Sequence, residues 1–288
     1  MNRKLITTLS ALALVGALVC VCNTRRVAAR DGAPALGASG GDDDMRERDE
    51  TNESYRLASG AEVDVQSISG SVTVETADTD TADIHIVRLA RTRDELECRP
   101  VHIEHTAARL RIDGQDDRRQ CRNAHVTQQV TLRVPRRIKL DVTSISGHVT
   151  AGDLDGPVHF TSISGHATVG NVRGPVSFTS ISGHVQVASA LDAATFESIS
   201  GHVSITVSHL GARGLKAESI SGSVDIGLGD DVNADLRVES ISGGVYADDA
   251  RITLNKVSEN EFTGRVGSGG APLEFFSISG NIRLHRAG

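Results

Sequence analysis

Four histidines occupy the same place in four consecutive repeats: His148, His166, His184 and His202 each follow the tetrapeptide SISG. An imidazole ladder at the strand spacing of about 4.8 Å could bind zinc, copper or nickel, or respond to acid as charged neighbours repel. Duplication of one tolerated polar residue is the simpler reading, because the other copies carry Ser71, Ser223, Gly244 or Asn281 there and no carboxylate or thiolate closes a ligand set. Glu197, Glu218 and Glu239 form a second outward column. Three stacked carboxylates could collect calcium, or serve as exposed charges that deter edge-to-edge pairing; the absence of an Asp-rich calcium-binding turn favours the latter. The "HIEH" of residues 102–105 is a weaker metal candidate still. The serines of SISG recur eight times, whereas a nucleophile needs one base and one oxyanion site. The flanks of these serines are not GxSxG, and no HExxH or phosphate-loop pattern is present. No catalytic residue and no cofactor is therefore expected.

The elements that must position these residues follow from the repeat. SISG begins at Ser67, Ser144, Ser162, Ser180, Ser198, Ser219, Ser240 and Ser277, at intervals of 77, 18, 18, 18, 21, 21 and 37. A worn copy, EFTGRV at 261–266, divides the last interval into 21 and 16. Two residues before each first Ser stands an apolar residue such as Val142, Phe160, Phe178 or Phe196. Two and four residues after each Gly stand others, such as Val185 and Val187. Such period-two alternation marks strands with one buried face. Phe160 and Ile163, three apart, cannot both face inward on a straight strand, so the expected bend lies near Thr161 and Ser162, with Ile in the core and Ser at the corner. A bend, a strand and a return through GDLDGPV or GNVRGPV make one coil of a β-solenoid, an all-β, parallel β-helix-like stack of 18–21-residue coils. Pro157 and Pro175 fall at strand starts, which strands tolerate.

Residues 144–288 are expected to form the regular solenoid, and 54–143 irregular N-terminal strands and a cap. Helix should be nearly absent, with a short turn in DDARITLNKVSENEF (248–262). Residues 30–53, rich in Gly, Ala and charge, lack apolar periodicity and read as a flexible linker. Arg3 and Lys4, the apolar run Leu5–Val21 and the small residues to Ala29 make a signal peptide, with an uncleaved membrane anchor as the alternative. Loss of residues 1–29 removes four basic and no acidic residues and takes the formal charge from −7 to −11. Such an acidic chain has no basic stripe for nucleic acid, and any membrane contact would run through the N-terminal segment. Cys98 and Cys121 remain after export, an even pair in an oxidising compartment, so one disulfide is expected.

The stretch VTLRVPRRIKLDVTSISGHVTAGDLDGPVHFTSISGHATVG, with the closing GRVGSGGAPLEFFSISGNIRL, resembles the bacterial putative-adhesin family, a domain of unknown function in exported or membrane-tethered proteins. The likeness covers roughly 60–288. It implies a β-solenoid and an export compartment, and it brings no catalytic residues. The function expected is a non-enzymatic periplasmic, envelope or surface module that binds a protein or glycan partner. The alternatives are a scaffold that self-associates through its solenoid ends, near the NIRLHRAG terminus, and a β-helix carbohydrate-active enzyme. Against the enzyme stands the lack of grouped carboxylates; against glycan stacking, Tyr55 and Tyr246 are the only tyrosines and Trp is absent.

Overall fold

The computed structural model describes residues 46–114, 121, 124–257 and 261–287. The signal peptide and most of the predicted linker lie outside them. Five long strands form the centre of a parallel, β-solenoid-like stack: β7 (Lys139–Ala151), β8 (Val158–Val172), β9 (Val176–Ala190), β10 (Ala194–Val207) and β11 (Leu215–Leu228). Like residues stack on like. Ser144 pairs with Ser162, Ser162 with Ser180, Ser180 with Ser198 and Ser198 with Ser219. The buried column Val142, Phe160, Phe178, Phe196 and Ala217 fills one half of the core, with ring centroids 4.7 and 5.6 Å apart along the three Phe. The second half is the column Val149, Ala167, Val185, Val203 and Val224. Burial of such aliphatic side chains, each stabilising by about 1.5–3 kcal/mol, is the main force holding the layers together.

The corner differs from expectation in its phase. Ser144, Ser180, Ser198 and Ser219 are buried, whereas Ile145, Ile163 and Ile220 are 37%, 46% and 36% exposed. Inward alternation therefore runs straight on from Phe178 to Ser180, and the chain turns later, at the second Ser and the Gly. The ladder pairs Ser144 with Ser162 and Ser146 with Ser164 but passes over the intervening Ile. At Gly165 and Gly183 φ is 155° and 154°, a region that disfavours any Cβ. A Cβ on Gly183 would also stand 2.1 Å from the carbonyl oxygen of Gly165 below it. Glycine is thus what lets successive corners stack, and it resets the inward phase so that Val185 points into the core.

On one side of β7 lies β2 (Glu62–Ala77), in register through Ser67 and Ser144, so the coil at 62–77 is regular rather than part of an irregular region. Beyond it the two halves of the coil separate. The first pairs with β5 (Arg109–Asp113), itself antiparallel to β4 (His102–Thr106). The second pairs with β6 (Val126–Pro135), followed in antiparallel order by β3 (Thr81–Ala90) and β1 (Glu47–Arg56). Strand β1 overlaps the predicted linker. Its polar sequence lacks an apolar face because it is held by its ladder to β3 and by the Arg88–Asp49 pair. A six-residue helix, α1 (Arg93–Cys98), capped by Thr92 Oγ1 accepting from the Glu95 amide, follows β3. Cys98 is bonded to Cys121, with S–S 2.12 Å and Cα–Cα 5.4 Å.

The other end contains the main topological surprise. Strands β12 (Ala234–Ser242) and β13 (Val245–Asp248) do not stack on β11. The last coil, β16 (Ala271–Ser279) and β17 (Ile282–Arg286), is inserted between them, so Ser277 pairs with Ser219 on one side and Ser240 on the other. Strands β14 (Ile252–Val257) and β15 (Glu261–Val266) form an antiparallel hairpin against β12. The worn copy at 261–266 is therefore an antiparallel strand and not a coil, and among the described residues of 248–262 a turn falls at 250–251. The NIRLHRAG segment is internal to the stack, which removes it as a free solenoid end.

Candidate functional site

The displaced phase puts three columns on the outer corner. Ile145, Ile163, Ile220 and Ile241 stand exposed along it as a broken apolar ridge; the second serines, Ser146, Ser164 and Ser182, are exposed and face the histidines His148, His166 and His184. Between the walls runs a groove of about 420 Å³ floored by Gly147, Gly165, Gly183 and Gly201. Strand alternation after each Gly sends His outward because its neighbour Val or Ala enters the core.

The four histidines are brought together as a ladder. Ring centroids of His148 and His166, and of His166 and His184, are 5.0 Å apart with planes 6° from parallel, and His184 to His202 is 5.7 Å and 45°. Imidazole lone pairs lie in the ring plane, so rings stacked face to face point them side by side and do not converge on one ion. Among the described residues no group of three or more His, Cys, Asp or Glu is placed to hold a metal.

The insertion also breaks the glutamate column. Glu197 pairs with Glu218, but Phe276 of the inserted coil stands between Glu218 and Glu239. The remaining charges are matched locally: Lys216 Nζ lies 2.7 Å from Glu218, which raises the lysine pKa through that hydrogen bond, and Arg237 bonds Glu239 and lies 3.5 Å from Glu261. Around Glu218 and Glu239 the acidic and basic side chains form an alternating charge network. His102 and His105 lie on β4, where His105 stacks on Tyr55 at 3.7 Å.

The first serines form an inner column that sequence reasoning placed at the turn. Behind the corner a small cavity of about 20 Å³ is lined by Ser144, Ser162 and Ser180 together with Phe160 and Phe178. Further along, Ser219, Ser277 and Ser240 are consecutive in the stack, and their hydroxyls are buried without a protein partner. Among the described residues no serine hydroxyl hydrogen-bonds a histidine. A threonine hydroxyl does reach one, Thr161 Oγ1 lying 3.4 Å from His159 Nε2. In a second open depression, about 380 Å³ on β1, β3 and β6, Ser54 donates to Asp83 at 2.7 Å, and His85 pairs with the neighbouring Glu50 at 2.9 Å.

Two buried or half-buried acids differ in sign. Asp249, 2% exposed at its side chain, is held below the usual carboxylate range by its hydrogen bonds with Arg251, which also donates to the carbonyls of Leu228, Gly229 and Asp230. Asp141 is pushed up by burial, opposed by His159. No helix among the described residues is long and apolar enough to cross a membrane.

Residues 158–285 match the family model described as Toastrack DUF4097. Among curated proteins none matches the chain. Solved structures with a similar arrangement include a putative adhesin from Bacteroides fragilis, at 13% identity, covering 82% of this chain and 97% of that one with a TM-score of 0.45. A putative cell adhesion protein from Clostridium sporogenes is 10% identical over 83% of this chain and 100% of its own, at 0.33. A putative lipid binding protein from Parabacteroides distasonis is 11% identical over 82% and 96%, at 0.31. From 158 to 285, a span that includes most of the SISG coils, the chain is thus similar to the Toastrack family.

Proposed function

We propose that the chain is a non-enzymatic, exported cell-envelope or surface binding module whose 18–21-residue coils carry one linear binding face. The antiparallel strands at both ends act as caps, since they cover edges that would otherwise template further pairing. The observation that carries the reading is the corner groove, in which exposed serines and imidazoles repeat in register over three coils on a floor of four glycines, with Ile145 and Ile163 exposed on the same corner. A face that repeats one set of contacts suits an extended partner better than a small molecule. Export is supported by the basic start and apolar run of the first 29 residues.

The test is retention of the full chain on isolated cell envelopes washed free of it, compared with the groove-filling double variant Ser164→Arg/Ser182→Arg. Both positions are exposed, so the fold should tolerate them. At least tenfold weaker retention of the variant is expected; equal retention of the two would defeat the assignment of the groove.

A further inference from the structure

The ridge and the groove lie side by side on one corner and share one repeat, which makes the corner complementary to itself. We propose that two copies of this chain associate side by side, each laying its isoleucine ridge in the other's serine–glycine groove about a two-fold axis. This inference rests on the corner being the binding face and names its occupant.

Three observations favour a second copy over other partners. The first is period. The columns repeat at the strand spacing, seen in the 5.0 Å steps of His148, His166 and His184, and a second copy matches that repeat by construction. An extended peptide advances about 3.3 Å per residue and presents alternate side chains at about 6.6 Å, so it loses register within two coils. Stacked solenoids instead allow identical side chains to interdigitate as in paired cross-β sheets. The second is exposure: Ile145, Ile163, Ile220 and Ile241 are 37%, 46%, 36% and 54% exposed on one corner, with Ile181 and Ile278 half-buried in the same column, so apolar side chains recur along the stack there. The third is charge. The segments 144–148, 162–166, 180–184 and 198–202 contain no Asp, Glu, Lys or Arg, although the chain carries −7 overall. Two acidic molecules therefore meet here without opposing charges, as in the uncharged centre of protein interfaces.

The size of the strip sets the strength. The stack holds eight such corners at about 4.8 Å, roughly 34 Å in all, so a strip about 10 Å wide gives at most roughly 340 Å² per copy, the groove being lined over four of them. The total of roughly 700 Å² is below the ~1,200 Å² of stable complexes, so the association is a weak one that concentration drives.

Sedimentation equilibrium of the full chain from about 10 μM to about 1 mM, with isoleucine-methyl NMR over the same range, tests this. The expected result is a mass rising from one copy toward two. The methyls of Ile145, Ile163, Ile220 and Ile241 should move on dilution while those of the buried Ile84, Ile112 and Ile205 stay fixed. The triple variant Ile145→Ser/Ile163→Ser/Ile181→Ser should remain a monomer, and Ser164→Arg/Ser182→Arg supplies a second block if the triple variant fails to fold. A strict monomer at 1 mM, dimerisation undiminished in a folded corner variant, or dilution shifts at methyls away from the corner would each overturn the proposal. A monomer whose envelope retention is still lost on filling the groove would sink self-association and leave the binding face standing. A corner-dependent dimer with unchanged retention would do the opposite.

Discussion

Replacing Ser277 by Ala should stabilise the protein. Ser277 is 0% exposed in the inserted coil, between the buried Ser219 and Ser240, and none of the three hydroxyls has a protein partner. A buried hydroxyl without a partner costs about 1–3 kcal/mol relative to one that keeps its hydrogen bond to water, and the methyl of Ala carries no such cost. The position lies within a strand of ordinary extended backbone, so Ala meets no conformational obstacle. Loss of one oxygen leaves a void smaller than a methyl group, which offsets only part of the gain. The expected net is about 1–2 kcal/mol of added stability, or roughly 2–8 °C in the unfolding midpoint of a domain this size. Because the three serines touch the same column, their effects will not add, and the single variant is the clean measurement. Urea and thermal unfolding followed by circular dichroism would read it. A loss of 1 kcal/mol or more in Ser277→Ala would refute the reasoning, because it would mean that the hydroxyl makes a hydrogen bond essential to the corner.

Three further outcomes probe the same architecture. Ile163→Ala should cost about 1 kcal/mol or less, since nearly half of the side chain is already in water, whereas Ile205→Ala at a 1% exposed site should cost about 2–5 kcal/mol; equal losses in urea unfolding at low protein concentration would restore the inward isoleucine. Gly183→Ala combines a positive φ with a Cβ 2.1 Å from a carbonyl oxygen and should lower stability by about 3–5 kcal/mol or abolish soluble expression; a change under 1 kcal/mol would show that the corners are not stacked this closely. The acids should respond oppositely to pH. The depressed pKa of Asp249 contributes stability above its unfolded pKa that is lost as pH falls through the folded one, so Asp249→Asn should cost about 2–4 kcal/mol at pH 7 and less at pH 3. The raised pKa of Asp141 contributes below its unfolded value and is lost as pH rises through the folded one, so Asp141→Asn should be neutral or stabilising at pH 7. Stability measured from pH 3 to 7 checks both signs.

The corner shows how far residue patterns reach. Period-two alternation on either side of SISG, and its spacing of 18 or 21 residues, were enough to read the parallel coils, the Phe160–Phe178–Phe196 column and the outward histidines. The place of the turn was not legible. Phe160, Ser162 and Ile163 admit two phases, and hydrophobicity favours Ile inward, yet the structure buries the serine. The reason lies in Gly165: only its positive φ allows the corner to stack, and that fixes the turn after the isoleucine rather than before it. The exposed isoleucines and the serine side of the groove followed from this shift and could not be anticipated, even though its histidine wall was. Strand β1 escaped notice because a strand held mainly by its backbone ladder needs no apolar face.

The repeated tetrapeptide by itself determined that like residues stack, since each coil can satisfy its backbone groups and bury its Val and Phe only against a neighbouring coil. It left the order of the coils undetermined, because copies with the same motif are nearly equivalent partners. Tertiary structure alone decided that the coil of Ser277 enters between those of Ser219 and Ser240. There Phe275 sits between Ala217 and Val238, small neighbours that leave room for its ring, while the hairpin of β14 and β15 pairs with the far side of β12. That choice, made by volume and by edge pairing over long sequence separations, separated Glu218 from Glu239 and set Ile278 between Ile220 and Ile241.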